Sequence, residues 1–202
     1  MTRKASGRLL AALAGLAMAA VLAIGLVELA SSGSSTSEQG LPPLTAAQVR
    51  ARLAGSPPPL AALHGEGNTI LTGGRRALHA RLAGLRGYPL VIDKWASWCV
   101  PCQSERAIFQ RASTDLGRQV AFLGIDSADT STRDAHAFLA PFPVSYPSYY
   151  DPSGSLGLTV TDSSFTPVTV FHDRAGAQYI HQGPYPSLAK LERDIRRYAL
   201  TG

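Results

Sequence analysis

Cys99 and Cys102 are the only two cysteines in a chain of 202 residues, and they stand three positions apart within WASWCVPCQSE, residues 95–105. A thiol attacks as its thiolate, and an unperturbed cysteine ionises only near about pH 8.5. A useful nucleophile at neutral pH therefore needs surroundings that favour negative charge. The residues before the pair read as a strand and those after it as a helix. Cys99 is thus expected at a helix N-terminus, where unpaired amide N–H groups and the macrodipole stabilise an anion. Pro101 suits the first helical turn, where its missing donor does no harm. Cys102, one turn further on, faces the same way and is placed to attack a mixed disulfide held by Cys99. The chemistry is thiol–disulfide exchange, with Cys99 as nucleophile and Cys102 as resolving thiol.

Other uses of two thiols fit less well. A structural zinc site takes four ligands and one C-x-x-C supplies two, while His64, His79, His136, His172 and His181 are dispersed without ligand spacing. No metal and no cofactor are expected. Covalent haem would need a histidine after Cys102, where Gln103 stands. A peroxidatic cysteine would follow threonine or serine by three positions, and Ala96 stands there. A non-enzymatic alternative is a copper-binding chaperone that combines the two thiolates with a histidine such as His172.

The elements that must position the pair follow from pattern and punctuation. PLVIDKWA (89–96) is a compact strand, and residues 103–116 form a helix with Ile108, Ala112 and Leu116 on one side, ended by Gly117. VAFLGI (120–125) is a second strand, and DTSTRDAHAFLA starts with cap residues before a helix that Pro141 ends. PVTVFHD and AQYIHQG form a hairpin across Arg174-Ala175-Gly176, and Leu188, Leu191, Ile195 and Tyr198 space a final helix. A further helix is expected over RRALHARLAGL, a short hairpin over AALHGEGNTIL, and a loop with one helical turn over residues 141–164. Strands separated by helices, with a late hairpin, predict an α/β fold: a mixed sheet covered by helices on both faces.

Upstream, residues 9–27 are a run without charge, LLAALAGLAMAAVLAIGLV, long enough as a helix to cross a bilayer core of about 30 Å. Residues 1–8, with Arg3, Lys4 and Arg8, would stay in the cytoplasm and leave the remainder outside. The expectation is an anchor over 9–29; a signal peptide cut near Ala30-Ser31-Ser32 gives the same sidedness. Residues 30–57, rich in serine and proline, read as a flexible linker with one short helix over 45–53 capped by Thr45, and 58–202 as the folded domain. The net charge of +5 is scattered, which argues against nucleic acid as a partner.

Taken together, WCVPC after VIDKWAS, Glu105 three residues beyond Cys102, Thr166-Pro167 before a strand and D-R-A-G (173–176) in a hairpin resemble the thioredoxin fold. Within it, they resemble the membrane-tethered TlpA/ResA-like branch of extracytoplasmic thiol–disulfide oxidoreductases. The resemblance implies a cis peptide bond at Thr166-Pro167, in a loop that offers backbone groups to substrate, and Trp98 as a lid over Cys99. It also implies that the span of 65 positions from Cys102 to Pro167 holds the insertion typical of that branch. Asp93 matches the buried aspartate of thioredoxin, where the branch more often has asparagine, and burial would make it a base near neutral pH. Glu105 matches an acidic residue that the ResA-like branch keeps near its cysteines; a solvated first-turn glutamate is the alternative. Ala107 stands where proline is common, and Lys94 replaces an aromatic on the strand face opposite Asp93. The implied partners are protein disulfides or thiols and a membrane electron donor.

Overall fold

The computed structural model describes residues 40–201. The apolar run 9–29, its basic flank and the start of the linker lie outside the described residues. Among the described residues, no helix is long and apolar enough to cross a membrane.

In chain order the elements are α1 (Ala46–Leu53), α2 (Pro58–Gly65), β1 (Ile70–Leu71), α3 (Gly74–Gly84), β2 (Leu90–Trp95), α4 (Val100–Leu116), β3 (Ala121–Ser127), α5 (Thr132–Leu139), β4 (Ser148–Asp151), α6 (Ser155–Thr161), β5 (Val168–His172), β6 (Gln178–Gln182) and α7 (Leu188–Ile195), which continues as a π turn over Arg196–Leu200. The strands form one sheet in the order β1-β4-β3-β2-β5-β6. The β1–β4, β4–β3 and β3–β2 pairs are parallel, and β5 and β6 are antiparallel. This is a mixed sheet with a hairpin at one edge, as the order of helices and strands predicted.

Strands β2 and β3 are buried along their whole length, which is why their sequences run apolar without alternation. Alternate residues of β2 nonetheless serve two different cores. Val91 and Trp95 face the layer of α4, α5 and α7, where Cys99, Cys102, Phe109 and Ile195 lie, while Leu90 and Ile92 join Leu60, Leu63 and Leu78 of α2 and α3. Asp93 shares the first face and Lys94 the second.

Two stretches differ from expectation. AALHGEGNTIL is not a hairpin: Pro58 opens α2, whose Leu60 and Leu63 are fully buried, and β1 is a two-residue strand defined by its pairing with β4. Proline at a first helical position starts a helix rather than a loop, and Gly65 and Gly67 mark its exit. Residues 141–164 hold a strand and a helix, β4 and α6. Strand β4 is rich in polar and aromatic residues, and sits between β1 and β3; its conformation comes from two ladders and not from its own pattern.

The linker boundary at 57 also falls too late. Helix α1 forms as expected behind the Thr45 capping box, but Leu44 and Leu53 are buried, and the Leu44 N–H donates to Gln110 Oε1 in α4 at 2.8 Å. Gly117 permits this approach, since a Cβ there would lie 2.8 Å from Leu53 Cδ2. Pro42, Pro43 and Pro57 give the segment a linker's composition, yet Leu44 and Leu53 are buried against the domain and Arg52 pairs with Asp115 of α4. Leu53→Ala is therefore expected to lower the unfolding free energy by about 2 kcal/mol in urea titrations, whereas a free linker would give no change.

Candidate active site

The turn from β2 into α4 carries the two cysteines. Cys99 is the N-cap residue of α4 and Pro101 lies in the first turn. The Cys102 N–H donates to Cys99 Sγ at 3.2 Å, so a helix-terminal amide points at the sulfur that would carry charge. The cysteines form a disulfide, S–S 2.06 Å, and both are buried.

Along α4 the i, i+3, i+7 spacing stacks Cys102, Glu105 and Phe109 on the side facing β2, and Asp93 projects from β2 towards them. Asp93, Cys102, Glu105, Phe109, Phe138 and Tyr146 line one small cavity of about 10 Å³, room for a single water molecule. Glu105 is not a solvated first-turn residue. It is 2% exposed, and its Oε2 accepts the Tyr185 N–H at 2.8 Å. Asp93 Oδ2 accepts the Tyr146 hydroxyl at 3.1 Å. Asp93 Oδ1 and Glu105 Oε1 are buried without a hydrogen-bond partner.

Burial disfavours the charged form of both acids. It pushes Asp93 up to about 7 despite the opposing hydrogen bond from Tyr146. Burial, then the neighbouring Asp93 charge, holds Glu105 well above the usual carboxylate range against the Tyr185 N–H. Both acids are thus held towards their neutral forms, and, sharing one pocket beside Cys102, they titrate as a pair.

A second set of carboxyls holds the turn from the β3 side. Asp129 accepts from the Ser97 N–H at 3.0 Å and the Ser97 hydroxyl at 2.8 Å, and Trp98 Nε1 donates to the Ala128 carbonyl at 3.1 Å. Asp126, level with Trp95 in the β2–β3 ladder, is fully buried. Burial first, then its contacts with Asp129 and Asp151, push it up to about 9. Neither Asp126 oxygen has a hydrogen-bond partner, and a proton retained there lets the acid sit beside Asp129 and Asp151 without adding a like charge.

The Thr166–Pro167 peptide bond is cis. Lys94 pairs with Val168 in the β2–β5 ladder, so Pro167 comes next to Trp95, beside the turn that carries Cys99. Trp98, Val100 and Phe165 expose large apolar side chains. The structure thus assembles Asp93, Cys102 and Glu105 around one cavity, with Cys99 joined to it through the disulfide, and sets Trp98 and Thr166–Pro167 at the same end of the sheet. His172 pairs with Leu90 at the other end of β2, roughly 16 Å away along the strand, which removes the ligand named for the copper alternative. Tyr146, Asp126, Asp129 and the Tyr185 N–H had no local signal; each is polar, in or beside a loop, and meets the site only through packing.

The mixed sheet, the disulfide at the N-terminus of a helix and the cis proline beside it define a thioredoxin-like fold with a C-x-x-C pair, the arrangement of thiol–disulfide oxidoreductases. Among solved structures the chain is similar to MTB DsbF, at 25% identity and TM-score 0.52 over 56% of this chain and 82% of that one. It is also similar to a Chlorobium tepidum protein assigned to thiol:disulfide interchange as DsbE, at 26% identity and TM-score 0.52 over 57% and 83%. The thioredoxin-like protein YneN of Bacillus subtilis (strain 168) is 22% identical over 104 residues, 50% of this chain. The match spans 61% of the length of that relative. No protein-family model matches the chain.

The pH dependence of stability follows from Asp93. Its folded value, about 7, exceeds the unfolded 3.8, so the native state binds the extra proton between them and stability falls as pH rises through that window. The oxidised protein should be most stable near the acid end. Asp93→Asn should flatten this fall, giving a gain of a few kcal/mol at about pH 8 and little at about pH 4, measured by denaturant titration at each pH. Removing the Tyr146 hydroxyl withdraws a bond that favours the carboxylate, so Tyr146→Phe should move the Asp93 titration upward in carboxyl NMR.

Proposed function

We propose that the chain is an extracytoplasmic thiol–disulfide oxidoreductase that reduces disulfides of exported proteins. The observation that carries the reading is the Cys99–Cys102 pair at the N-terminus of α4, with the acids Asp93 and Glu105 buried beside Cys102.

In the reduced enzyme, the Cys99 thiolate attacks one sulfur of a substrate disulfide. A mixed disulfide forms and the other substrate sulfur leaves as a thiolate. Cys102 then loses its proton to the ionised Asp93, directly or through the one-water cavity, and attacks Cys99 Sγ. The mixed disulfide breaks, the second substrate thiolate leaves, and Cys99–Cys102 is restored. Two electrons pass from the enzyme dithiol to the substrate, which becomes a dithiol, and an outside reductant must return two electrons to reset the pair. The anchor read over 9–29 favours a membrane electron donor. Glu105, kept neutral, spares Asp93 a second charge in the same pocket. Thr166 and Pro167 supply the backbone edge, and Trp98 the apolar wall, against which substrate docks.

The reductive direction rests on the Val100-Pro101 dipeptide, which lacks a histidine to favour the Cys99 thiolate strongly. Relatives on this fold span about −270 to −120 mV, so the potential decides. The test uses the full chain equilibrated against glutathione and thioredoxin: a value near about −270 mV supports a reductase, and one near about −120 mV would make it an oxidant. With insulin as substrate, Cys99→Ser should be inert. Cys102→Ser should accumulate a mixed disulfide visible on non-reducing gels, and failure to trap any adduct would remove Cys102 as the resolving thiol. Asp93→Asn should slow release of that adduct at pH 7 by about 10-fold or more, the usual scale for a lost general base.

A further inference from the structure

Lys94 is a lysine with only 2% exposure in the middle of the sheet, and the alternation of β2 sends it away from Cys102, to the side of α6. There its Nζ donates to the carbonyls of Ser163 at 2.7 Å and Phe165 at 2.8 Å. Both belong to the segment that enters the cis bond at Thr166–Pro167. Burying an ammonium is costly unless its donors are satisfied, so these carbonyls and the nearby Asp151 charge hold Lys94 as firmly as it holds the loop.

The route is prepared by α6. A Cβ at Gly157 would lie 2.8 Å from Lys94 Cε and 3.2 Å from Cδ, so the glycine leaves the channel through which the lysine stem passes. Within the loop, the Phe165 N–H donates to Ser163 Oγ at 3.1 Å, which makes residues 163–165 a compact turn. Lys94 ties that turn to the strand that leads into Cys99. Phe165 itself is 69% exposed, its side chain free while its backbone is fixed.

We propose that Lys94 is a positioning residue for substrate docking: its buried ammonium fixes the Ser163 and Phe165 carbonyls from the far side of the sheet, and so sets the Thr166 backbone and the Phe165 ring where a protein disulfide meets Cys99. What docks there rests on the function proposed above; the fixing of the loop does not.

The experiment compares the full chain with Lys94→Met, Gly157→Ala and the double variant. Lys94→Met keeps the stem and removes the donor shared by the two carbonyls, so that Phe165 O loses its side-chain partner and Ser163 O keeps only the Thr161 hydroxyl; amide exchange at Phe165 and Thr166 should therefore speed up by about 10-fold or more. For insulin, KM should rise about fivefold with kcat within about twofold, and reaction with a small aromatic disulfide, which does not need the loop, should change less than about twofold. Gly157→Ala, which displaces the stem, should give the same pattern, and the double variant should add little to the larger single effect, since both act on one contact. Unchanged exchange in both single variants, fully additive effects, or equal loss on insulin and the small disulfide would each overturn the proposal. If the unsubstituted chain fails to reduce insulin, the reductase reading falls while the exchange measurement still decides the clamp. If Lys94→Met fails to fold by circular dichroism, Gly157→Ala carries the same comparison.

Discussion

A carboxyl group in the middle of a fully buried strand is costly wherever no cation meets it, and the site is arranged around that cost at Asp93. Its relief is partial: one hydrogen bond from Tyr146, a cavity the size of a water molecule, and a proton retained to about pH 7. Glu105 repeats the arrangement one helical face away, satisfied on one oxygen by the Tyr185 N–H and free on the other. Two acids held towards their neutral forms beside Cys102 make a pocket in which one proton is shared, and the mechanism proposed above uses it to take the proton of the resolving thiol.

Holding such a site requires neighbours that cannot drift. The sheet supplies them because β2 and β3 are parallel and end side by side, so the turn after each meets the other. Asp129 takes both polar groups of Ser97, and Ala128 takes the Trp98 indole, while Asp126 stays neutral beneath them. From the antiparallel side β5 brings Pro167 to the same edge, and Lys94 reaches beneath to its loop. Three connections, from β3, from β5 and from the β2–α4 turn, thus converge on one disulfide.

The two faces of β2 divide this labour. Val91, Asp93 and Trp95 look to α4 and the chemistry; Leu90, Ile92 and Lys94 look to α2, α3 and α6 and the scaffold. A strand buried on both sides keeps the Asp93 carboxyl on one face and the Lys94 ammonium, bonded to the Ser163 and Phe165 carbonyls, on the other, so the two charges do not meet.

The sequence by itself determined what is local. The C-x-x-C spacing set Cys99 at a helix N-terminus, Pro101 in its first turn and Gly117 at its end, because caps, turns and helix starts are satisfied within a few residues. Apolar runs located β2, β3 and β5, and periodicity placed α3, α4 and α7. Only the tertiary structure decided what depends on partners distant in the chain. Strand β4 is a strand because β1 and β3 flank it, and α1 belongs to the domain because Leu44 and Leu53 find α4. Whether Glu105 was solvated or buried depended on Tyr185, 80 residues away. Asp93 could be recognised as a candidate base, but the proton it holds near neutral pH comes from burial set against the hydrogen bond from Tyr146, and no pattern around residue 93 contains either. Lys94 likewise reads as an odd substitution in sequence and becomes an anchor only when α6 and the Ser163–Phe165 turn close around it. Electrostatic environment is a sum over neighbours in space, so the chain's order reveals the reacting atoms before it reveals their acidity.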